Sequence, residues 1–342
     1  MKRVEERRAS TAVADGSAQI SSMEPLNVWD EFRSRFLVPT IAAMSLAVLL
    51  VIGGATTPSF LTGENLLNIV QVASLIGIIA IGTTFLTLSG NFFSLSLQQT
   101  GAMCSIVFAA GVGTGWHWTF ALIVALILGG LLGLIQGVIV AIGGNPIIVT
   151  IAAGAAIYGL ASIVTGSRAQ IIDRDQVAWL ATAQPLGIPL TTWAFVLLAV
   201  IAQIVIVKTR FGRSVMLAGA NRDTARSVGL PIGRISAGAF VISGVCAGLA
   251  GAFVAAQSNR GLVTNLDGAN LEVVAAVLVG GTAIQGGEGS TLRTALGAVF
   301  IALLQNLLIL QGWSTGPRQL AEGLAVVVGV SMFWIVKGGR KS

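Results

Sequence analysis

Charge is what this sequence has least of. Asp, Glu, Lys and Arg make up 10% of its 342 residues, against about 25% in an ordinary soluble protein. A water-facing globule so poor in charge could not cover its own surface, which overrides a reading as two soluble domains. Histidine occurs once, at His117, so neither a histidine metal cluster nor a serine triad can be assembled. The two cysteines, Cys104 and Cys246, lie inside apolar runs and read as small core residues, not a secretory cross-link. No G-x-x-x-x-G-K-[ST] stretch occurs, so the chain carries no phosphate cradle for ATP.

What is abundant is apolar surface. Hydrophobic residues reach 54%, the mean hydropathy is +0.86 and glycine occurs 43 times, a composition suited to close-packed helices in lipid. The expected fold is all-α: a polytopic membrane protein of about ten spanning helices. The apolar runs lie near 36–55, 66–89, 97–113, 118–142, 146–165, 192–207, 235–256, 271–284, 292–310 and 320–336. Ahead of them is a polar tail, residues 1–35, whose Leu26, Trp29 and Phe32 with Phe36 share one side, as in an interfacial helix.

The basic residues orient this map. With both termini cytoplasmic, sixteen of the twenty Lys and Arg fall inside, in the tail, the loop 208–234, Arg293 at a helix mouth and the C-terminal tail 337–342. Only Arg168, Arg174, Arg260 and Arg318 face outside. That asymmetry is the positive-inside pattern, so the net charge of +6 reports topology and no nucleic-acid partner. The lone histidine, between Trp116 and Trp118, fits an aromatic belt at the outer interface.

The eighth run is short and closes on Gly280, Gly281, Gly286, Gly287 and Gly289. A comparable interruption follows the second run: Ser89, Gly90, Asn91, then Ser94, Ser96, Gln98 and Gln99. Broken segments at matching places in two halves mark the substrate route of a transporter, and spans 2–5 and 7–10 start in opposite directions, as an inverted repeat requires. Candidate path residues are Asn91, Ser94, Gln98, Gln99, Gln305 and Asn306, with Gln136 a further intramembrane polar group. Each is also explained by hydrogen bonding between helices; together they suit an uncharged, hydroxyl-rich solute. Of the fourteen acids only Glu272 and Glu322 fall within runs, both near an outer end, while Asp267 falls in an outer loop. The absence of a mid-membrane carboxylate argues against an ion-coupled secondary carrier. No acidic or histidine cluster marks a membrane enzyme.

Three further motifs stand out. Gly129, Gly133 and Gly137, with Gly244 and Gly248, put small residues on single helix faces, for packing within the chain or for a subunit interface. Asn145–Pro146 reads as a helix start. The loop 208–234, KTRFGRSVMLAGANRDTARSVGLPIGR, contains a short helix from Arg222 to Val228, capped by Asn221 and stopped at Gly229 before Pro231. It reads either as a handle for a cytosolic partner or as a basic loop lying on anionic lipid.

From about residue 40 to 336 the chain resembles the permease subunits of ribose-type, carbohydrate-uptake ABC importers. The resemblance rests on Leu217–Gly251, with Asn221, Ala225, Gly229 and Gly248 at recurrent positions; on Leu271–Leu310, with Glu272, the five glycines above, Gly297 and Asn306; and on Gly144–Gly166. One departure lies at SGNFFSLSL, Ser89–Leu97, where Phe92 and Phe93 stand in place of the family's Asp-Leu. The resemblance implies a non-catalytic pore-forming subunit in a bacterial inner membrane, binding no cofactor itself. It implies two cytosolic ABC ATPase domains holding ATP and Mg and gripping Asn221, Arg222, Asp223, Ala225, Arg226 and Gly229. An extracytoplasmic solute-binding protein, with Arg168–Pro189 as a docking surface, and a second permease copy or paralogue complete the implied assembly. The solute would be a monosaccharide; a nucleoside, a branched-chain amino acid or a furanose signal are alternatives in the same class.

Overall fold

The computed structural model describes residues 38–172, 177, 179–180 and 183–336. The N-terminal tail, where an interfacial helix is expected, Asp173, Arg174, Asp175 and the C-terminal basic cluster lie outside the described residues.

Each of the ten apolar runs carries a helix. In chain order these are α1 (Val38–Thr56), α2 (Gly63–Leu88), α3 (Leu97–Gly113), α4 (Trp118–Ala141), α5 (Pro146–Thr165) and α6 (Leu190–Lys208). Two helices of the basic loop follow, α7 (Arg210–Ala220) and α8 (Arg222–Ser227), then α9 (Ile232–Ser258), α10 (Ala269–Val279), α11 (Thr291–Leu310) and α12 (Thr315–Val336). Among the described residues six helices (α2, α4, α5, α6, α9 and α11) are long and apolar enough to cross a membrane. α10 stops at Val279, five residues before the apolar run ends, because Gly280 and Gly281 turn the chain there, Gly281 at φ +74°.

One end of the bundle is marked by a two-residue ribbon, β1 (Gln170–Ile171) against β2 (Arg260–Gly261), antiparallel. It fastens the segment after α5 to the end of α9. At this end His117 caps α4, its Nδ1 accepting from the Thr119 amide at 3.4 Å, and Trp118 meets Trp179 edge-on at 4.8 Å. The opposite end carries α7 and α8. They are called below the ribbon end and the α8 end.

The core is built on close backbone approach. A Cβ on Gly129 would collide with the Gly244 carbonyl oxygen, one on Gly133 with that of Phe240, and one on Gly137 would lie 2.7 Å from Ala237 Cα. The glycine stripes therefore pack α4 on α9 within the chain. Asn145 caps α5 through its Oδ1, at 3.0 Å from the Ile147 amide, with Pro146 at the first helical position. The two halves are laid out alike. α2 and α9, of 26 and 27 residues, are each followed by a non-helical break and then a shorter helix, α3 of 17 residues and α10 of 11.

Candidate functional site

The two breaks run back into the bundle. After α2 the chain leaves the α8 end as a non-helical segment, 91–96, and α3 starts deep inside. Ser96 and Gln99 pack against Gly154, the ninth of twenty residues of α5; a Cβ there would be 3.3 Å from Gln99 Oε1. After α9 the chain descends along α3. A Cβ on Gly261 would lie 2.6 Å from Ile106 Cα, Asn265 Nδ2 donates to Ser105 Oγ at 3.1 Å, and Leu266 covers Gly101. Both breaks hold a bulky residue with left-handed backbone, Phe92 at φ +58° and Leu266 at φ +70°, a conformation costly for such side chains.

The breaks therefore deliver two helix N-termini to one place about half-way through the bundle. The Gln98 amide donates to Asn270 Oδ1 at 3.1 Å and Asn270 Nδ2 donates to the Leu95 carbonyl at 2.8 Å. Gln98 Nε2 donates to Asp267 Oδ1 at 2.8 Å, where Asp267 is exposed and Gln98 half-buried. Ser94 and Ser96 are buried and 3.0 Å apart through their hydroxyls, and Ser96 donates to Gln136 Oε1 at 2.7 Å. Gln99 Oε1 is buried without a hydrogen-bond partner among the described residues. Amide groups, hydroxyls and one carboxylate at paired helix N-termini are suited to hydrogen-bonding a polar solute.

Asp267 lies in a non-helical loop, as its place in the sequence implies, and the structure adds the depth of that loop. Counting spans put it in an outer loop, yet 262–268 runs inward along α3 and brings its carboxylate to the level of Gln98. The counterpart signal was present: Asp267–Gly268 precedes a short helix, as Ser96 precedes α3. Glu272 likewise lies deeper than expected, because α10 begins at this junction. Gln305 neighbours both Glu272 and Glu322, with Arg318 close by.

The remaining predicted path residues are held elsewhere. Asn306 of α11 and Asn65 of α2 exchange two amide hydrogen bonds, of 2.8 and 2.9 Å, near the ribbon end. Asn306→Leu should lower thermal stability by about 1–3 kcal/mol, the cost of a buried amide left unpaired. In a thermal-shift series the double variant with Asn65→Leu should recover part of that loss. Asn91 lies at the α8 end, 1% exposed, with Nδ2 donating to Ser89 and Ser236 hydroxyls at 2.8 and 2.9 Å.

Asn91 is part of a second cluster, which unites the predicted handle with the glycine turn. Asn221 Oδ1 caps α8, accepting the Asp223 and Thr224 amides at 3.1 and 3.0 Å, and Ala225 is buried beneath. Gly229, at φ +80°, follows the helix. Arg222 turns inward and donates to the Gly90 carbonyl at 3.0 Å and to Asn91 Oδ1. Its pKa is lowered by burial and by neighbouring Arg226. Asp223 and Arg226 face out, beside exposed Leu217 and Val228.

The glycine turn closes on the same spot. The Gly287 amide donates to the Leu88 carbonyl at 3.0 Å. Gly287 holds φ +77° with a would-be Cβ 2.6 Å from Ala220 Cα, so any side chain there is excluded twice. Gly286 packs on Gly90, Gly280 on Arg293 and Thr294, and Gly289 on Thr282.

The family described as branched-chain amino acid transport system / permease component matches residues 65–336. The chain is 30% identical over 301 residues to the ribose import permease protein of Haemophilus influenzae, covering 86% of this chain and 93% of that one. It is 30% identical over 304 residues to the ribose import permease protein of Escherichia coli K12, covering 87% and 94%. It is 28% identical over 288 residues to the L-arabinose ABC transporter permease protein of Azospirillum brasilense, covering 84% and 85%. No solved structure matches the chain.

Proposed function

The chain belongs to this family of multi-pass membrane permeases, and from that premise we propose that it forms the translocation path of an ATP-binding-cassette importer for a monosaccharide. The observation that carries the reading is the half-depth junction of Gln98, Asn270 and Asp267, joined by the short non-helical segment 91–96 to the end of the bundle that carries the basic helix α8. On this reading the chain has ten spans with both termini cytoplasmic, residues 36–336 forming the permease domain between the tails 1–35 and 337–342. The membrane is the bacterial inner membrane, and the α8 end faces the cytosol.

The path runs by Ser94, Gln98, Gln99 and Asp267, with Gln305 nearer the ribbon end. Uncharged amides and hydroxyls match a sugar's hydroxyl groups. The names of the relatives, ribose and L-arabinose permeases, support the solute class. Two ATPase domains, holding ATP and Mg, dock on Asp223, Arg226, Leu217 and Val228, a polar and apolar surface that the chain itself leaves open. A solute-binding protein docks at the ribbon end, on 168–189, and a second permease copy or a paralogue encloses the path. The chain itself binds no nucleotide on this reading.

The test is replacement of 222–228 by a Gly/Ser segment. Membrane insertion should persist, while copurification with the ATPase subunit is lost and ATP-driven uptake of a monosaccharide panel into proteoliposomes falls to background. Unchanged copurification removes the docking role from this loop.

A further inference from the structure

The corner between α6 and α7 is held by specific contacts. Thr209 donates its hydroxyl to the Val205 carbonyl at 2.7 Å and accepts the Gly212 amide at 3.1 Å. Gly212 lies directly on the end of α6, where a Cβ would overlap the Ile206 backbone. Phe211 turns inward and stacks on Phe85 of α2 at 6.5 Å. α7 is therefore folded back against the foot of α6, and what the corner leaves outside is charge: Lys208, Arg210 and Arg213 are exposed. No Asp or Glu occurs between Asp175 and Asp223, so no acid close in sequence offsets the three cations. From this corner toward the ribbon end, α6 turns an apolar face outward. Leu197, Val200, Ile201, Ile204 and Val207 are each 44–61% exposed, and their three-and-four spacing follows one helix face that runs on into Lys208. From Leu197 to Lys208 the face is about 16 Å long, close to one leaflet's half of a hydrocarbon core about 30 Å thick.

We propose that Lys208, Arg210 and Arg213 bind the phosphate of an anionic phospholipid in the leaflet at the α8 end, with an acyl chain lying along the exposed face of α6. A small anion needs only the cations. A diacyl phosphate needs them at the foot of a leaflet-deep apolar stripe, and that is what the corner builds. Guanidinium groups take phosphate oxygens two at a time, and each Lys or Arg close to an anionic lipid surface strengthens binding by about fivefold. The basic loop thereby divides its work: its first corner holds lipid, and Leu217, farther along α7 toward α8, stays open for the ATPase. The lipid site requires only that α6 spans the membrane, so it stands or falls apart from the importer reading.

The test is native mass spectrometry of the full chain released from micelles and titrated with phosphatidylglycerol or phosphatidylcholine of the same acyl chains. The first phosphatidylglycerol should bind at least tenfold more tightly than phosphatidylcholine. The triple variant Lys208→Gln, Arg210→Gln, Arg213→Gln should lose about 100-fold of that affinity. Arg168→Gln with Arg260→Gln, two exposed cations at the ribbon end, should bind as the unmutated chain does. Ile204→Gln, which leaves the charge intact, should weaken binding severalfold. Lys208→Gln alone, a surface change, should lose about fivefold and carries the test if the triple variant does not accumulate. Equal affinity for the two lipids, or undiminished binding in the charge variants, overturns the proposal. So does full competition by inorganic phosphate, which marks a plain anion site. Self-cross-linking of Ile204→Cys also overturns it, because a second copy of the chain then covers the face meant for the acyl chain.

Discussion

Gly129→Ile should abolish accumulation of folded protein. At this position the obstacle is the backbone carbonyl of Gly244 on α9, and no rotamer change can move it aside. Inserting methylenes into a packed core costs about 1–3 kcal/mol where side chains yield; separating two helix backbones also removes every contact between Gly129, Gly133, Gly137 and their partners. Gly129→Ala should therefore already lower the melting midpoint in detergent, by about 1–3 kcal/mol in free energy. Gly159→Ala is the contrasting case. Nothing lies within 4 Å of a Cβ there, and Ala is the better helix former by about 1 kcal/mol, so stability should hold or rise. Size-exclusion profiles of the three variants read the outcome. Equal profiles for Gly129→Ile and the unmutated chain would mean that α4 and α9 do not touch at this face.

The helices were legible because lipid demands long apolar runs, and the runs were interrupted where glycines and polar residues cluster. Caps at Asn145 and Asn221 were legible for the same local reason, a side-chain oxygen ahead of free amides. Depth was not legible. A span count assumes that every loop stays outside, and it placed Asp267 by sequence order alone. The fold draws 262–268 inward because Gly101 leaves room for Leu266, and Ser105 offers a hydroxyl to Asn265. Those are long-range fits with no local signature. The partnership of Asn306 with Asn65 was hidden likewise, since it joins residues 241 apart. So were the hydrogen bonds that exposed Arg222 makes to the Gly90 carbonyl and to Asn91, residues more than 130 positions away.

Asp267→Leu should depress transport far more than folding. The carboxylate is exposed and accepts from the side-chain amide of Gln98, so its loss leaves only that half-buried donor without its partner and expression should stay near normal. In the proposed path it is an exposed anionic acceptor beside two helix N-termini. A hydrogen bond to a charged group contributes about 1.5–3 kcal/mol, and each 1.4 kcal/mol is about tenfold. Uptake should fall by about 10- to 100-fold in Asp267→Leu, and by less in Asp267→Asn, whose amide oxygen still accepts from Gln98 and from a sugar hydroxyl. The same carboxylate repels anions, so Asp267→Asn should relax exclusion of sugar acids relative to neutral sugars. Proteoliposome uptake of neutral and acidic monosaccharides, normalised to reconstituted protein, separates these effects. Native rates and native selectivity in both variants would mean that solute never passes the junction of the two half-helices.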